Sequence, residues 1–189
     1  KWVSTMFSFL FGDGVAAFVM SKVDSEDNAV KIGKITHAVN FADSDYRKAS
    51  VRLAGNTSTH MYEYELTANS DILKRSLEYS KKVLARSFGN DADTFDEQQT
   101  KSFFAEQKKV MIHTGSMKIL DGFKNLYKLD YNQVQESYET LKEYGNLTGV
   151  SIPTVLSKAI TQKNSISGKS LLIGITMGFG LDLVEIEKV

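Results

Sequence analysis

The sequence contains no cysteine and only one proline among its 189 residues. Without cysteine, the chain can form no disulfide framework, no thiolate metal site and no cysteine nucleophile of its own. Its 23 basic and 23 acidic side chains cancel, so it lacks the surplus of positive charge on which non-specific nucleic-acid binding depends. We therefore expect no nucleic-acid partner, and the missing cysteine favours an intracellular protein, which we expect to be cytoplasmic.

Long apolar runs are also absent. The longest extends from Met6 to Val19 and is interrupted by Gly12-Asp13-Gly14, which excludes the ~20 apolar residues of a membrane-spanning helix. No basic segment followed by a small-residue cleavage site indicates a signal peptide. The remaining composition, 42% hydrophobic and 24% charged residues, is typical of a globular protein. We expect a single domain over 1–189, with no membrane span.

Hydrophobic periodicity predicts an alternating order of strands and helices. Residues 7–20 and 29–41 have the composition of strands, and the polar stretch 42–68 predicts a surface excursion or a lid. The later elements are a helix whose apolar stripe ends before Gly89, a helix over 94–108, a strand over 109–112, a helix after Gly115, a helix capped by Asp130 and Gln133 and stopped by Gly145, a helix capped by Ser151, and strands over 169–176 and 181–189. The order β-β-α-α-β-α-α-α-β-β predicts a layered α/β fold with a mixed central sheet flanked by helices.

Two polar residues occupy positions where α/β proteins place their chemistry. His113 ends the buried strand 109–112, and catalytic groups gather at such strand ends, although a single histidine there is more often structural. Asn146 lies between two helices, where an asparagine is more often part of a plain turn after a helix stop. His37 and His60 have no metal-ligand spacing with each other or with His113, so we expect no metal site.

Four segments follow one another in a specific order: Leu10-Phe11-Gly12-Asp13-Gly14-Val15-Ala16-Ala17, Met111-Ile112-His113-Thr114-Gly115-Ser116, Tyr144-Gly145-Asn146-Leu147-Thr148-Gly149 and Gly178-Phe179-Gly180. The first resembles the opening of the C-terminal half of the thiolase-fold condensing enzymes, nearest to ketoacyl-acyl-carrier-protein synthase III and the chalcone synthase-like type III polyketide synthases. The second is similar to the catalytic-histidine segment of the chalcone synthase branch. The third is similar to the catalytic-asparagine segment, nearer to the synthase III branch, and the fourth to the final loop.

The sequence departs from the polyketide synthases at two of these places. Thr114 stands where they usually have proline, and Leu181-Asp182 stands where they usually have Pro-Gly. The second departure leaves the shape of a polyketide cyclisation cavity open.

The resemblance implies an acyltransferase that condenses an acyl thioester with a malonyl thioester by decarboxylative Claisen condensation, in fatty-acid or polyketide-type synthesis. His113 and Asn146 would be its oxyanion-hole donors. Contacts to the substrate are expected from Gly178, Phe179, Gly180 and Thr148. Lys118 and Lys124, with Lys128 nearby, would meet coenzyme A phosphates or an acyl carrier protein, or would form a solvated charged face. No cofactor is implied beyond acyl-CoA or acyl-carrier-protein substrates.

The nucleophilic cysteine of the resembled enzymes lies in an N-terminal half that is absent here. Because the chain opens at Lys1 near the family's mid-point, we expect it to be the C-terminal domain of a longer enzyme, without acyltransferase activity as an isolated chain, which alone should condense nothing. It could instead be one subunit of a heteromeric enzyme whose partner brings the cysteine, or a non-catalytic thiolase-like subunit that binds an acyl thioester or assists assembly. The resemblance also implies a homo- or heterodimer. Ser116 and Thr114 lack an oriented acid partner, so no serine triad is indicated.

Overall fold

The computed structural model describes residues 10–20, 30–38, 51–56, 61–66, 72–91, 94–161, 166, 168–176 and 180–188. The strands in these ranges are β1 (Val30–Ala38), β2 (Val51–Asn56), β3 (Met61–Leu66), β4 (Lys109–Ile112), β5 (Gly168–Thr176) and β6 (Gly180–Lys188). The helices are α1 (Ile72–Ser87), α2 (Glu97–Glu106), α3 (Met117–Tyr127), α4 (Tyr131–Tyr144) and α5 (Ser151–Thr161), and a short 3₁₀ turn, Thr148–Val150, precedes α5. In the ranges named, every helix is too short or too polar to cross a bilayer.

A mixed four-stranded sheet lies at the centre of the fold, as predicted. Its strand order is β1-β6-β5-β4. The β4–β5 pair is parallel, whereas β6 runs antiparallel to both β5 and β1. Because α3, α4 and α5 lie between β4 and β5 in the chain, the sheet combines a helical crossover from β4 to β5 with an antiparallel return from β5 to β6.

Helices cover both faces of the sheet. The side chains of the inner strand β5 are therefore buried on either side. Leu171 and Ile173 face one hydrophobic cluster, and Leu172 faces the other. The first cluster gathers residues from α1, α2, α3 and α4, namely Val83, Leu84, Phe104, Leu120, Phe123, Tyr127 and Val134. The second cluster gathers Met111 of β4 with Val155, Leu156 and Ala159 of α5.

The helix boundaries follow local capping chemistry. Asp96 caps α2 by accepting the N–H of Gln99 at 2.9 Å, so α2 begins at Glu97 and is shorter than the helix predicted over 94–108. Gly89 and Gly145 follow α1 and α4 with φ of +81° and +73°, which confirms both predicted stops.

The side chain of Gln133 joins two helices at the start of α4. Its Oε1 accepts the backbone N–H of Asp130 at 2.9 Å, as the predicted capping box requires. Its Nε2 donates to the carbonyls of Phe104 at 3.0 Å and Gln107 at 2.8 Å, at the end of α2. The first turn of α4 is therefore tied to the last turn of α2.

The prediction of strands over 7–20 is wrong for its described part, 10–20. The pairing found there is an isolated bridge between Phe11 and Asn146, and beyond it the backbone forms no regular element. A segment with strand-forming composition becomes a strand only where it can pair with a free strand edge. Helix α4 covers the outer edge of β4, where Ser137 Oγ accepts the N–H of Ile112 at 2.8 Å. Val15 and Val19 are consequently fully exposed.

The polar stretch 42–68 contains more regular structure than its sequence predicts. β2 and β3 pair as an antiparallel two-stranded ribbon that is separate from the main sheet. The rest of this stretch lies outside the described residues. The predicted strand over 29–41 is confirmed as β1, whose partner is β6.

Candidate functional site

His113 directly follows β4, at the carboxyl end of a parallel strand. Its backbone N–H donates to the carbonyl of Ile173 at 2.9 Å, which extends the β4–β5 ladder by one residue. Its own carbonyl accepts the N–H of Gly115 at 2.8 Å, which closes a three-residue turn. Helix α3 then starts at its N-cap, Ser116, whose side chain accepts the N–H of Ile119 at 3.3 Å. The strand and the helix therefore fix the backbone of His113 on both sides.

The imidazole of His113 is neutral at physiological pH. Burial lowers the pKa of His113 to about 4, because desolvation penalises the charged ring. A neutral imidazole carries one N–H donor and one acceptor nitrogen. A Cβ on Gly115 would lie 3.3 Å from ring atom Cδ2 of His113 and 2.8 Å from Cδ1 of Ile119. Glycine at 115 therefore leaves room for the ring.

Asn146 follows α4 and is 7% exposed. Its Oδ1 accepts the N–H of Thr148 at 2.9 Å, an Asx turn that fixes which side of the amide carries nitrogen. The Nδ2 atom on the other side makes a long hydrogen bond of 3.4 Å to the carbonyl of Gly115. The side chain of Asn146 thus reaches into the loop that holds His113.

The two predicted catalytic residues converge on Gly115. Its carbonyl oxygen accepts a hydrogen bond from the amide of Asn146, and a Cβ on its α-carbon would lie 3.3 Å from Cδ2 of the His113 ring. An amide nitrogen carries two hydrogens, and among the described residues only the carbonyl of Gly115 accepts one of them. The loop of Gly115 is therefore approached by a neutral imidazole and by a primary amide, both able to donate without a fixed charge.

The opening segment, Leu10 to Gly14, packs directly on the asparagine loop. The carbonyl of Leu10 accepts the N–H of Asn146 at 2.7 Å, and Gly12 donates its N–H to the carbonyl of Asn146 at 3.1 Å. A Cβ on Gly12 would lie 2.2 Å from the carbonyl oxygen of Tyr144, and one on Gly145 would lie 2.5 Å from that of Leu10. Only glycine permits this approach of two backbones. In the sequence, these two segments are connected only by the family resemblance.

The other predicted substrate contacts are placed unevenly. Thr148 lies beside Asn146, is exposed and has a φ of +51°. Gly180 is the first residue of β6 and pairs with Thr176. Gly178 and Phe179 lie outside the described residues.

The three candidate lysines do not share one face. Lys118 lies exposed in the first turn of α3, close in sequence to His113. Lys124 lies six residues further on, about 9 Å along the axis and roughly 120° around it, and Lys128 follows as the C-cap residue. Only Lys118 is at the end of α3 that adjoins the site.

Asp182, where the sequence departs from the polyketide synthases, belongs to a cross-strand pair. Its Oδ1 bonds Nδ1 of His37 between β6 and β1. In the described part of the chain, no three His, Asp or Glu side chains are grouped as metal ligands. His37 is therefore a partner of Asp182 on the sheet.

No protein-family model matches the sequence, and neither does any curated protein. Solved structures do match in fold. The type III polyketide synthase domain of Steely1, a type I/III hybrid from Dictyostelium, has a TM-score of 0.62 at 15% identity, over 85% of this chain and 40% of that one. PKS-I from the brown alga Ectocarpus siliculosus has a TM-score of 0.58 at 17% identity, over 90% of this chain and 42% of that one.

A fungal type III polyketide synthase, ORAS, has a TM-score of 0.62 at 12% identity, over 85% of this chain and 41% of that one. At these identities the likeness establishes the fold alone: the chain has the layered α/β fold of the part of these type III polyketide synthases that it covers. The chain spans about two fifths of the length of each of these proteins.

Proposed function

We propose that this chain supplies the oxyanion hole of an acyltransferase that condenses an acyl thioester with a malonyl thioester. The observation that carries the proposal is the convergence of His113 and Asn146 on Gly115, at the end of β4. The type III polyketide synthase fold supports a condensing enzyme of this class. The reaction serves polyketide-type synthesis or, as in ketoacyl-acyl-carrier-protein synthase III, fatty-acid synthesis.

The chemistry that suits this pair is stabilisation of an enolate. When a malonyl thioester loses carbon dioxide, the C–C bond to its carboxylate breaks and the electron pair forms an enolate, whose charge develops on the thioester oxygen. N–H groups of His113 and Asn146 would donate to that oxygen, and one such donor is worth about 3 kcal/mol of barrier. The enolate carbon then attacks an acyl thioester, expelling its thiolate. The low pKa of His113, about 4, keeps its ring a neutral donor throughout.

The acyl-bearing nucleophile has to come from outside these 189 residues, because they contain no cysteine. We propose that a Cys-bearing partner provides it, either an N-terminal thiolase half or a separate subunit in a homo- or heterodimer. The substrates would arrive as thioesters of coenzyme A or of an acyl carrier protein, with Thr148 beside the reacting oxygen. Gly178, Phe179 and Gly180 remain candidates for contacts to the substrate.

A second candidate is a non-catalytic subunit that binds an acyl thioester or assists assembly of a condensing enzyme. The absence of cysteine favours it. The two candidate functions differ in whether malonyl-CoA is converted: a catalytic domain would decarboxylate it, whereas a binding subunit would bind it without changing it.

Decarboxylation separates these candidates, because breaking the malonyl C–C bond needs the oxyanion hole and no cysteine. We expect the full chain to convert malonyl-CoA to acetyl-CoA and carbon dioxide, with the enolate taking a proton from water. Chromatography of the coenzyme A esters measures the conversion. We expect no condensation product with acetyl-CoA until a Cys-bearing partner is added. Binding of malonyl-CoA without turnover would overturn the enzymatic proposal in favour of the second candidate.

Lys118 is proposed to contact the phosphates of the coenzyme A substrate. We expect Lys118→Glu to raise KM for malonyl-CoA about 2- to 5-fold with kcat unchanged, since an exposed ion pair is worth about 1 kcal/mol or less. Lys128→Glu is the matched control, with the same charge change at the other end of α3. Equal values of KM for the two variants would assign these lysines to a solvated charged face.

A further inference from the structure

The hydroxyl of Thr114 lies fully buried between the loop of His113 and the loop of Asn146. It bonds Oγ of Ser151, also fully buried, at 2.9 Å and lies 3.2 Å from the carbonyl oxygen of Gly145. A hydroxyl has one proton, and the Oγ1–H of Thr114 lies within donating distance of two acceptors, the carbonyl oxygen of Gly145 and Oγ of Ser151. One side chain thereby joins three segments: the end of β4, the end of α4 and the start of α5.

This contact connects the immediate neighbours of both proposed catalytic residues. Thr114 follows His113 in the chain, and Gly145 precedes Asn146. In the opposite direction, Nδ2 of Asn146 bonds the carbonyl of Gly115. The two loops therefore hold each other reciprocally, because each donates a side-chain hydrogen bond to a backbone carbonyl of the other. No other residue fits at position 145, since the φ of +73° and the close approach to Leu10 both require glycine.

Thr114 is also one of the places where the sequence departs from the polyketide synthases, which usually have proline there. Proline restricts its own φ but has no side-chain donor or acceptor. In this chain the backbone at position 114 is instead restrained by the hydrogen bonds of the Thr114 hydroxyl to Gly145 and Ser151. The same contact explains why Ser151 does not act as the predicted N-cap of α5: it lies within the helical conformation and bonds Thr114 instead.

We propose that Thr114 is a positioning residue whose hydroxyl holds the two loops in register, so that the N–H groups of His113 and Asn146 face one substrate oxygen. Its consequence for catalysis rests on the proposed function, whereas the coupling between the loops does not. The inference is therefore tested by two separate readouts, one spectroscopic and one kinetic.

Thr114→Val removes the hydroxyl and keeps the shape of the side chain, whereas Thr114→Ser keeps the hydroxyl. We expect Thr114→Val to shift the side-chain amide signals of Asn146 in a ¹H–¹⁵N spectrum, where Asn146→Asp assigns them by their loss. We also expect kcat for malonyl-CoA decarboxylation to fall about 10-fold with KM unchanged, the rate equivalent of one buried hydrogen bond. Thr114→Ser should restore both properties.

The matched control is Thr140→Val, which removes a fully buried hydroxyl from α4 that has no hydrogen-bond partner in the described structure. It should change neither readout. If valine is not accommodated at 114, Thr114→Ala compared with Thr114→Ser still isolates the hydroxyl. Unchanged amide signals in Thr114→Val, or a serine variant that behaves like the valine variant, would overturn the inference. Shifted amide signals in a chain without decarboxylase activity would uphold the positioning and reject the proposed function.

Discussion

Replacing His113 with alanine is expected to lower kcat/KM for malonyl-CoA decarboxylation about 100- to 1,000-fold, because one of two donors to the enolate oxygen is lost. The effect should appear mainly in kcat, since the charge that the donor meets develops only in the transition state. Asn146→Ala should show a loss of the same order. Release of carbon dioxide and formation of acetyl-CoA measure both variants.

The matched control is His37→Ala, because His37 lies on β1 and bonds Asp182 rather than the loops of the site. Its decarboxylation rate should equal that of the parent chain within about twofold. The double variant of His113 and Asn146 should lose less than the product of the two single losses, because the donors act on one oxygen as a unit. Undiminished decarboxylation in His113→Ala would remove His113 from the proposed mechanism.

The pH dependence of folding shows whether the ring of His113 is buried. Its pKa falls from 6.5 to about 4 on folding, so between these values the unfolded chain binds the additional proton. The free energy of unfolding therefore decreases as pH falls from 6.5 towards 4. The protein has the full stability associated with the neutral, buried ring of His113 only above pH 6.5. His113→Gln should flatten this part of the curve in urea unfolding. An unaltered curve would place the ring in solvent.

Much of the fold follows from local signals that act within a few residues. The apolar stripes of α1, α3 and α4, with the glycine stops of α1 and α4, predicted the helices because caps and periodicity are properties of a single segment. The end of α2 at Glu106 is less predictable. There the backbone turns away so that Gln133 can bond the carbonyls of Phe104 and Gln107, which depends on a segment nearly 30 residues away in the chain.

Residues 10–20 show why strand composition alone misleads. The apolar side chains of Val15 and Val19 predict a strand, but a strand forms only where a neighbouring edge is free. Ser137 of α4 occupies the hydrogen-bonding position on β4 that such a strand could use. The ribbon of β2 and β3 is the opposite case, since a polar segment forms strands by pairing with itself.

The candidate site likewise combines residues that the sequence predicts with residues whose roles depend on contacts between distant segments. The position of His113 follows from a strand end, and that of Asn146 from resemblance to a family motif. Thr114, Gly115 and Ser151 connect the loops of these two residues, and their roles depend on contacts between segments distant in sequence. No spacing rule relates Thr114 to Ser151, because their separation reflects the length of α3 and α4 rather than one element's period.

Helix α4 links the stability of the fold to the geometry of the site. Its buried face carries Glu136 and Ser137 against the edge of β4, and its C-terminal end leads into Gly145 and Asn146. Glu136, 1% exposed, bonds Lys109, 12% exposed, at the first residue of β4. The strand thus carries an ion pair at one end and His113 at the other. We therefore expect a change in this ion pair to alter the free energy of unfolding more than the catalytic rate.

Lys109→Met is expected to lower the free energy of unfolding by about 3–5 kcal/mol, because it leaves the carboxylate of Glu136 buried without its partner. Oε2 of Glu136 already has no hydrogen-bond partner in the described structure, so without Lys109 neither oxygen of this buried carboxylate would accept a hydrogen bond. The double variant Lys109→Met/Glu136→Met should recover to within about 1 kcal/mol of the parent, since two apolar side chains of similar volume fill the same space. Urea unfolding measures all three chains.

Lys169→Met is the control that separates burial from charge. Lys169 also pairs with a glutamate, Glu106, but at 3.7 Å and with both side chains 65% exposed. Its replacement should change the free energy of unfolding by less than about 1 kcal/mol, because solvent screens an exposed pair. If Lys109→Met and Lys169→Met proved equally mild, the contact between α4 and β4 would not depend on the buried charge. In that case the hydrogen bond from Ile112 to Ser137 and the surrounding apolar packing would hold α4, and with it Asn146, against the sheet.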